Sequence, residues 1–189
     1  MTKILSTIGP ASEGRQLNYL IKKSEIVRLN MSHNSKEWHN KVIEKIRKFD
    51  KKKLILIDIP GVKPRTKNDT SFEIKKGQKL DFKYTFNNFV GIKISNPLPK
   101  LKKNVKKFSL SDGSYTFKLI KSKGNFLQGI SEQNFILSSG KGLNIPMSIY
   151  DDALQEKKYL QFLKKISRLD FDCIGLSFIQ NPKIIIKLK

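Results

Sequence analysis

The sequence predicts an α/β fold in which strand–helix units are interrupted by a small antiparallel β-domain. Three observations support this prediction. Apolar strand-like runs alternate with amphipathic helical patterns over residues 1–61, the apolar period changes to two over 62–139, and the helical pattern returns over 140–189. Strands that alternate with helices of this length form right-handed βαβ units around a parallel sheet. We therefore expect two parts of one βα fold, 1–61 and 140–189, on either side of the inserted domain 62–139.

The first segment is expected to supply three strands and two helices. The strands are predicted at 3–8, 25–31 and 54–59, and Ser12 and Ser35 are predicted to cap the helices that follow the first two. The third strand is almost continuously apolar, which is typical of a strand buried on both faces of a parallel sheet.

The second segment is expected to form short antiparallel strands, because apolar side chains occupy every second position between turn residues. The alternating positions are Phe72/Ile74, Leu80/Phe82/Tyr84/Phe86, Ile92/Ile94, Phe108/Leu110, Tyr115/Phe117/Leu119 and Phe135/Leu137. In the third segment, a helix with an apolar stripe from Leu154 to Ile166 precedes a strand at 172–178 and the start of another helix at Asn181.

The formal net charge of +22 raises the possibility of binding to nucleic acid. Five of the 38 basic residues are arginine and the remaining 33 are lysine, scattered rather than clustered. Proteins that bind nucleic acid usually depend on arginine, because its planar guanidinium group can donate two hydrogen bonds to a pair of neighbouring acceptor atoms. Nucleic-acid binding is therefore the least favoured of the alternatives.

Other features of the sequence suggest the compartment in which the chain works. No run of 18 apolar residues is present, so no membrane span is predicted. Met1 stands directly before a strand-like run, which leaves no room for a signal peptide. The single cysteine, Cys173, is expected to be buried in a strand. We expect a cytoplasmic protein.

Charged and polar side chains stand at the predicted ends of two neighbouring strands. Arg28 lies near the end of the second strand. In a βα barrel the catalytic residues lie at the carboxyl ends of the strands. The guanidinium group of an arginine at this position can donate two hydrogen bonds to a phosphate group. The alternative is an ion pair with a neighbouring carboxylate. Asp58 ends the third strand, and together with Asn30 and Ser32 it offers hard oxygen ligands for a cation.

Four short blocks follow one another along the chain. They are KILSTIGPAS at 3–12, VRLNMSH at 27–33, LIDIPGVKPRT at 56–66 and GKGLNIP at 140–146. In this order and spacing the set resembles the N-terminal half of pyruvate kinase, over residues 3 to about 182. The resemblance implies a partial (half) TIM-type (β/α)8 barrel with an inserted small antiparallel β-barrel lid domain. It also implies a phosphotransferase that acts on phosphoenolpyruvate and ADP in glycolysis.

The resemblance assigns roles to individual positions. It implies substrate binding by Arg28 and Ser177, nucleotide binding by Asn30, His33, Arg65, Asp112 and Lys141, and a monovalent-cation site at Asn30, Ser32 and Asp58. For Asp112 a simple turn aspartate is an equally good explanation. Potassium-dependent members of the family carry threonine, lysine and glutamate where this chain has Ile59, Pro60 and Lys63. The ammonium of Lys63 is expected to replace the ion, so no K⁺ requirement is predicted; the alternative is a solvated loop lysine.

The resemblance stops before the family's catalytic lysine and its two acidic Mg²⁺ ligands, which come from the fifth and sixth strands. Phosphoryl transfer depends on such cations to neutralise charge on the transferred group. The isolated chain is therefore expected to show little or no turnover. A second hypothesis is a non-catalytic assembly module, because a half-barrel leaves sheet edges and an apolar face uncovered. Such a module would pair with a copy of itself or with a separate second half-barrel.

Overall fold

The computed structural model describes residues 2–188 of the 189-residue chain, and these fold into two compact units. The first unit contains the residues up to Gly61 together with those from Glu156 onward, and the second is Val62–Gln155.

In chain order the strands are β1 (Leu5–Ile8), β2 (Ile26–Asn30), β3 (Leu54–Ile59), β4 (Thr66–Lys67), β5 (Phe72–Ile74), β6 (Lys79–Lys83), β7 (Ile92–Ile94), β8 (Lys107–Leu110), β9 (Tyr115–Lys123), β10 (Phe126–Ser131), β11 (Phe135–Leu137), β12 (Leu143–Asn144) and β13 (Cys173–Leu176). The α-helices are α1 (Arg15–Lys23), α2 (Lys36–Phe49), α3 (Asp152–Ile166) and α4 (Lys183–Lys187), and a short 3-10 helix covers Pro10–Ser12.

The first unit is built on a four-stranded parallel sheet in the order β1-β2-β3-β13. One face of this sheet packs against the helices, where Val27, Leu29, Ile57 and Tyr159 are fully buried in one apolar core. This confirms the α/β class and the side-by-side arrangement of the strand–helix units.

The prediction that β3 is buried on both faces was wrong. Ile55, Ile57 and Ile59 are fully buried, whereas Leu54 on the alternate face is 41% exposed. Successive side chains of a strand point to opposite faces, and among the described residues the helices cover only one face of the sheet.

The two predicted helix caps differ in outcome. The hydroxyl of Ser35 accepts a hydrogen bond from the Trp38 N–H at 3.2 Å, as expected of the cap of α2. Ser12 instead belongs to the 3-10 helix, where its hydroxyl accepts from the Gly9 N–H at 3.0 Å, and α1 begins three residues later. Cys173 lies in β13 as expected, but it is only half-buried.

The second unit holds a seven-stranded mixed sheet in the order β12-β8-β9-β10-β6-β7-β4 and a two-stranded ribbon of β11 and β5. All its pairs are antiparallel except β6–β7, which is parallel. The alternating apolar pattern does not identify β10, although this strand pairs on both sides. Its Gly129 explains why: an added Cβ would lie 2.5 Å from the ring of Phe108, so the ring occupies the place of a side chain.

The end of the second unit differs from the predicted segment boundary. Residues 140–155 were assigned to the continuing βα part, but they lie in the second unit. The reason is β12, whose Leu143 and Asn144 pair with Leu110 and Ser109 of β8. Within residues 2–188, no helix is both long enough and apolar enough to cross a lipid bilayer.

Candidate functional site

The carboxyl edge of the parallel sheet brings Arg28, Asp58 and Ser177 together. The Arg28 guanidinium donates to Asp58 Oδ2 through Nε at 3.2 Å and also through Nη2. The hydroxyl of Ser177 donates to Asp58 Oδ1 at 2.8 Å. Both carboxylate oxygens are therefore hydrogen-bonded, and the ion pair that sequence analysis gave as the alternative for Arg28 is present.

This ion pair leaves part of the Arg28 guanidinium available. Its Nη1 donates to the hydroxyl of Thr7 at 2.9 Å, a partner that the sequence did not identify. A guanidinium carries five N–H donors, and three are used in the contacts of the described residues. The side chain is 28% exposed. Two donors remain for an external acceptor such as a phosphate oxygen.

Thr7 and Arg28 are brought together by strand pairing. They are direct partners in the pairing of β1 with β2, and Arg28 is in turn the partner of Leu56 in β3. Side chains in register on neighbouring strands lie on the same face. In the sequence, Thr7 stands one residue before the end of the first predicted strand and within the KILSTIGPAS block.

The turn after β2 fixes the predicted nucleotide and cation residues. Asn30 Oδ1 accepts from the Ser32 N–H at 2.9 Å, and the Asn30 carbonyl accepts from the His33 N–H at 3.3 Å. The Met31 N–H donates to the Asp58 carbonyl at 2.9 Å, which ties the turn to β3. The first unit thus gathers Arg28, Asn30, Ser32, His33, Asp58 and Ser177 at one edge of its sheet.

These contacts bear on which cations the edge could hold. Asp58 has its charge balanced by the Arg28 guanidinium, and Asn30 Oδ1 is engaged by a backbone N–H. Between residues 2 and 188, no three His, Cys, Asp or Glu side chains form a group that could hold a metal ion. The carboxylate-rich ligand set that Mg²⁺ prefers is therefore not found in this part of the chain.

A buried tyrosine supports the turn after β13, which carries Ser177. Tyr159 of α3 is fully buried, and its hydroxyl donates to the Ser177 carbonyl. Buried tyrosine hydroxyls usually need such a partner. The sequence did not identify Tyr159, because this helix carries many apolar side chains and nothing in the sequence sets this one apart.

In the second unit, Lys63 and Asp112 form an ion pair. The Lys63 ammonium donates to Asp112 Oδ1 at 2.7 Å, and its side chain is only 9% exposed. Gly142 leaves space for it, since a Cβ there would lie 2.7 Å from Lys63 Cε. The hydrogen bond and the charge of Lys63 lower the pKa of Asp112 below its ordinary value, and the charge of Arg65 adds to this.

Asp112 is presented by a strained turn. Ser111 and Asp112 have backbone φ angles of 52° and 54°, values that residues other than glycine rarely adopt, and Gly113 follows with a φ of 100°. Each such residue costs roughly 1 kcal/mol or more. The turn joins β8 to β9 and is closed by the Ser114 N–H, which donates to the Ser111 carbonyl at 3.1 Å. Asp112 is therefore a turn aspartate and also the partner of Lys63.

Arg65 and Lys141 lie on adjacent backbone segments of the same unit. The Lys141 N–H donates to the Thr66 hydroxyl at 3.0 Å, and the Lys141 carbonyl accepts from the Thr66 N–H at 2.9 Å. Arg65 Nη1 donates to the Gly140 carbonyl at 3.0 Å. The second unit therefore gathers Lys63, Arg65, Asp112 and Lys141.

Comparisons with known proteins give a single answer. The family profile described as "Pyruvate kinase, barrel domain" matches residues 1–189. The pyruvate kinase of Thermococcus litoralis is 31% identical over all of this chain and 42% of its own length. That of Geobacillus stearothermophilus is 30% identical over all of this chain and 34% of its own length. The crystal structure of Cryptosporidium parvum pyruvate kinase superposes with a TM-score of 0.73 at 28% identity, over 99% of this chain and 42% of that chain. The chain thus spans less than half the length of these relatives.

Proposed function

The chain belongs to the pyruvate kinase family, and on this basis we propose that it supplies the phosphate-binding part of a phosphotransferase acting on phosphoenolpyruvate and ADP. In that reaction the bond between phosphorus and the enol oxygen breaks, a bond to a β-phosphate oxygen of ADP forms, and the enolate carbon takes up a proton. The products are pyruvate and ATP. The observation that supports this role is the Arg28 guanidinium, which is oriented by Asp58 and Thr7 and keeps two donors unused by the described residues.

The proposal divides the work between the two units. In the first, Arg28 and Ser177 bind the phosphorylated substrate, and Asn30 and His33 face the nucleotide. In the second, Arg65 binds the nucleotide phosphates. Lys141 and Asp112 face the nucleotide, and Asp112 is held in place by Lys63. Fixed charges of this kind stabilise a transferring phosphoryl group without needing to reorganise.

We also propose that the isolated chain has little or no turnover. Mg²⁺ supplies charge neutralisation in phosphoryl transfer, but residues 2–188 offer no group of acidic ligands that fits it. The chain's own side chains would then bind and orient phosphate without completing the transfer. K⁺ is proposed to be unnecessary, because the ammonium of Lys63 is expected to replace the ion. The ion pair of Asp58 with Arg28 supports this proposal, since the Asp58 carboxylate is already balanced. A cytoplasmic location fits this substrate chemistry.

Binding of phosphoenolpyruvate tests the role of Arg28. Calorimetric titration of the chain should give a measurable Kd, and Arg28→Met should weaken it by at least about tenfold, since a charged hydrogen bond contributes about 1.5–3 kcal/mol. Arg15→Met is the matched control, because Arg15 is exposed on α1 and should leave the Kd unchanged. Equal affinity of the Arg28 variant would disprove the proposed role.

A second candidate is assembly with another half-barrel or a second copy. It is favoured by the sheet face opposite the helices, where the apolar side chains of Leu5 and Leu54 are exposed. Analytical ultracentrifugation across a concentration series would detect such self-association. A monomer at every concentration would contradict pairing with a second copy.

A further inference from the structure

A cavity of about 660 Å³ lies between the first turns of α2 and the C-terminal end of α3. Of the residues described in the site above, Met31 lines it, and none of the proposed substrate, nucleotide or cation residues does. One wall is apolar and is formed by Met31, Phe162 and Ile166. Its size is sufficient for a small organic molecule.

The rest of the lining is strongly basic. Lys36, Lys164, Lys165 and Arg168 all face the cavity, and no aspartate or glutamate is among its lining residues. Within the part of the chain that the structure describes, none of these four makes an ion pair within 4.0 Å. Lys164 and Lys165 also offset the negative end of the α3 dipole. Glu37 and Glu44 line the neighbouring groove, which Lys36 and Arg168 also line. The N-terminus of the 14-residue α2 adds further positive potential.

His39 supplies an independent sign that a ligand belongs here. It lines the cavity, yet the residue is only 1% exposed. Its Nε2 lies 2.8 Å from the His33 carbonyl, so Nε2 carries the hydrogen. Burial lowers the pKa of His39, which keeps the ring neutral. Its Nδ1 is then a hydrogen-bond acceptor that is buried and has no partner among residues 2–188. Buried polar atoms of this kind are rare, because each costs desolvation energy.

We propose that this cavity binds a small organic anion that carries a hydroxyl group. The anionic group, a phosphate or carboxylate, binds Lys36, Lys164 and Arg168, and the hydroxyl donates to His39 Nδ1. The carbon skeleton packs on Met31 and Phe162. A cationic amine is excluded as the donor, since it would enter a cluster of four positive side chains.

Glycerol 3-phosphate is the probe. It is titrated calorimetrically into the Arg28→Met variant, in which the proposed phosphoenolpyruvate site is weakened and contributes less. Adding Lys36→Gln and Lys164→Gln should weaken binding at least tenfold. Adding Lys45→Gln and Lys157→Gln removes the same charge from exposed positions of the same two helices and should change the Kd less than twofold. Equal weakening by both pairs would show attraction by net charge alone and would overturn the site.

The hydroxyl contact is tested by n-propyl phosphate, which has the same charge but no hydroxyl. It should bind at least fivefold more weakly than glycerol 3-phosphate. The chain has only two histidines, so the ring nitrogen resonances of His39 can be assigned with a His33→Asn variant. Glycerol 3-phosphate should shift the Nδ1 resonance of His39, and an unchanged resonance at saturation would refute the contact.

Discussion

The parallel sheet has an arginine at each end, and the two arginines are bonded differently. At the amino edge Arg47 donates to Asp170 and Asp172 side chains at 2.9 and 2.8 Å. It also donates to the backbone carbonyls of Lys53 at 2.6 Å and of Lys51 and Asp170 at 3.3 Å. At the carboxyl edge the Arg28 side chain has two partners among residues 2–188, Asp58 and Thr7.

The two arginines differ in how many of their five N–H groups donate hydrogen bonds to the protein. Arg47 makes five contacts with its five N–H groups and is 15% exposed, so nothing is left for a ligand. Arg28 uses three donors and is 28% exposed. The same residue type therefore joins α2 to the sheet at one end, whereas at the other it keeps two donors unused by the described residues, as the proposed anion contact requires. Burial of an arginine beside carboxylates does not by itself distinguish the two roles, whereas the number of unused donors does.

Breaking the amino-edge cluster should have the largest effect on stability. Arg47→Ala leaves the Asp172 carboxylate without its ion pair and is expected to cost about 3 kcal/mol of unfolding free energy. Urea unfolding followed by circular dichroism measures this. Arg15→Ala, an exposed arginine on α1, should stay within about 0.5 kcal/mol. An Arg47 variant as stable as the Arg15 variant would show that the cluster is not structural.

Removing the Asp58 carboxylate at the carboxyl edge should lower the stability of the protein but strengthen its binding of phosphoenolpyruvate. Asp58→Asn is expected to cost about 1–2 kcal/mol, since it removes a charged hydrogen-bond acceptor. It should also tighten phosphoenolpyruvate binding several-fold, because a negative charge beside Arg28 is lost. Calorimetric titration and urea unfolding of the same samples measure both. Weaker binding would mean that Asp58 contributes to the anion site chiefly by orienting Arg28.

The smallest expected effect is a pH dependence at Asp172. Burial opposes its ionisation, but hydrogen bonds from Arg47 and the Ile55 N–H outweigh this, so its pKa lies below the ordinary value. A lowered pKa in the folded state stabilises the protein above the unfolded value of about 3.9, and the contribution is lost as pH falls through the folded pKa. Asp172→Asn should therefore be about 0.5–1 kcal/mol less stable at pH 7. Urea midpoints of the two proteins should converge below about pH 4, and a constant difference would contradict the assignment.

Much of the fold was predictable because its signals are local. The change of apolar period at residue 62 coincides with the start of the second unit, and Ser35 caps α2 as its position before an amphipathic run suggests. Strand β10 was missed because Gly129 replaces an apolar side chain and the Phe108 ring fills the space. Residues 140–155 were misassigned because pairing of β12 with β8 depends on a contact made across some thirty intervening residues.

The order of strands and helices, the two apolar periods and the motifs shared with the pyruvate kinases could all be read from the amino-acid sequence. Which acceptors each arginine donates to depends on the folded arrangement of the strands. Arg28 and Asp58 are 30 residues apart, and Arg47 and Asp172 are 125 apart. Helix caps and periodicity act over a few neighbouring residues, whereas these ion pairs exist only once the register of the parallel strands is set.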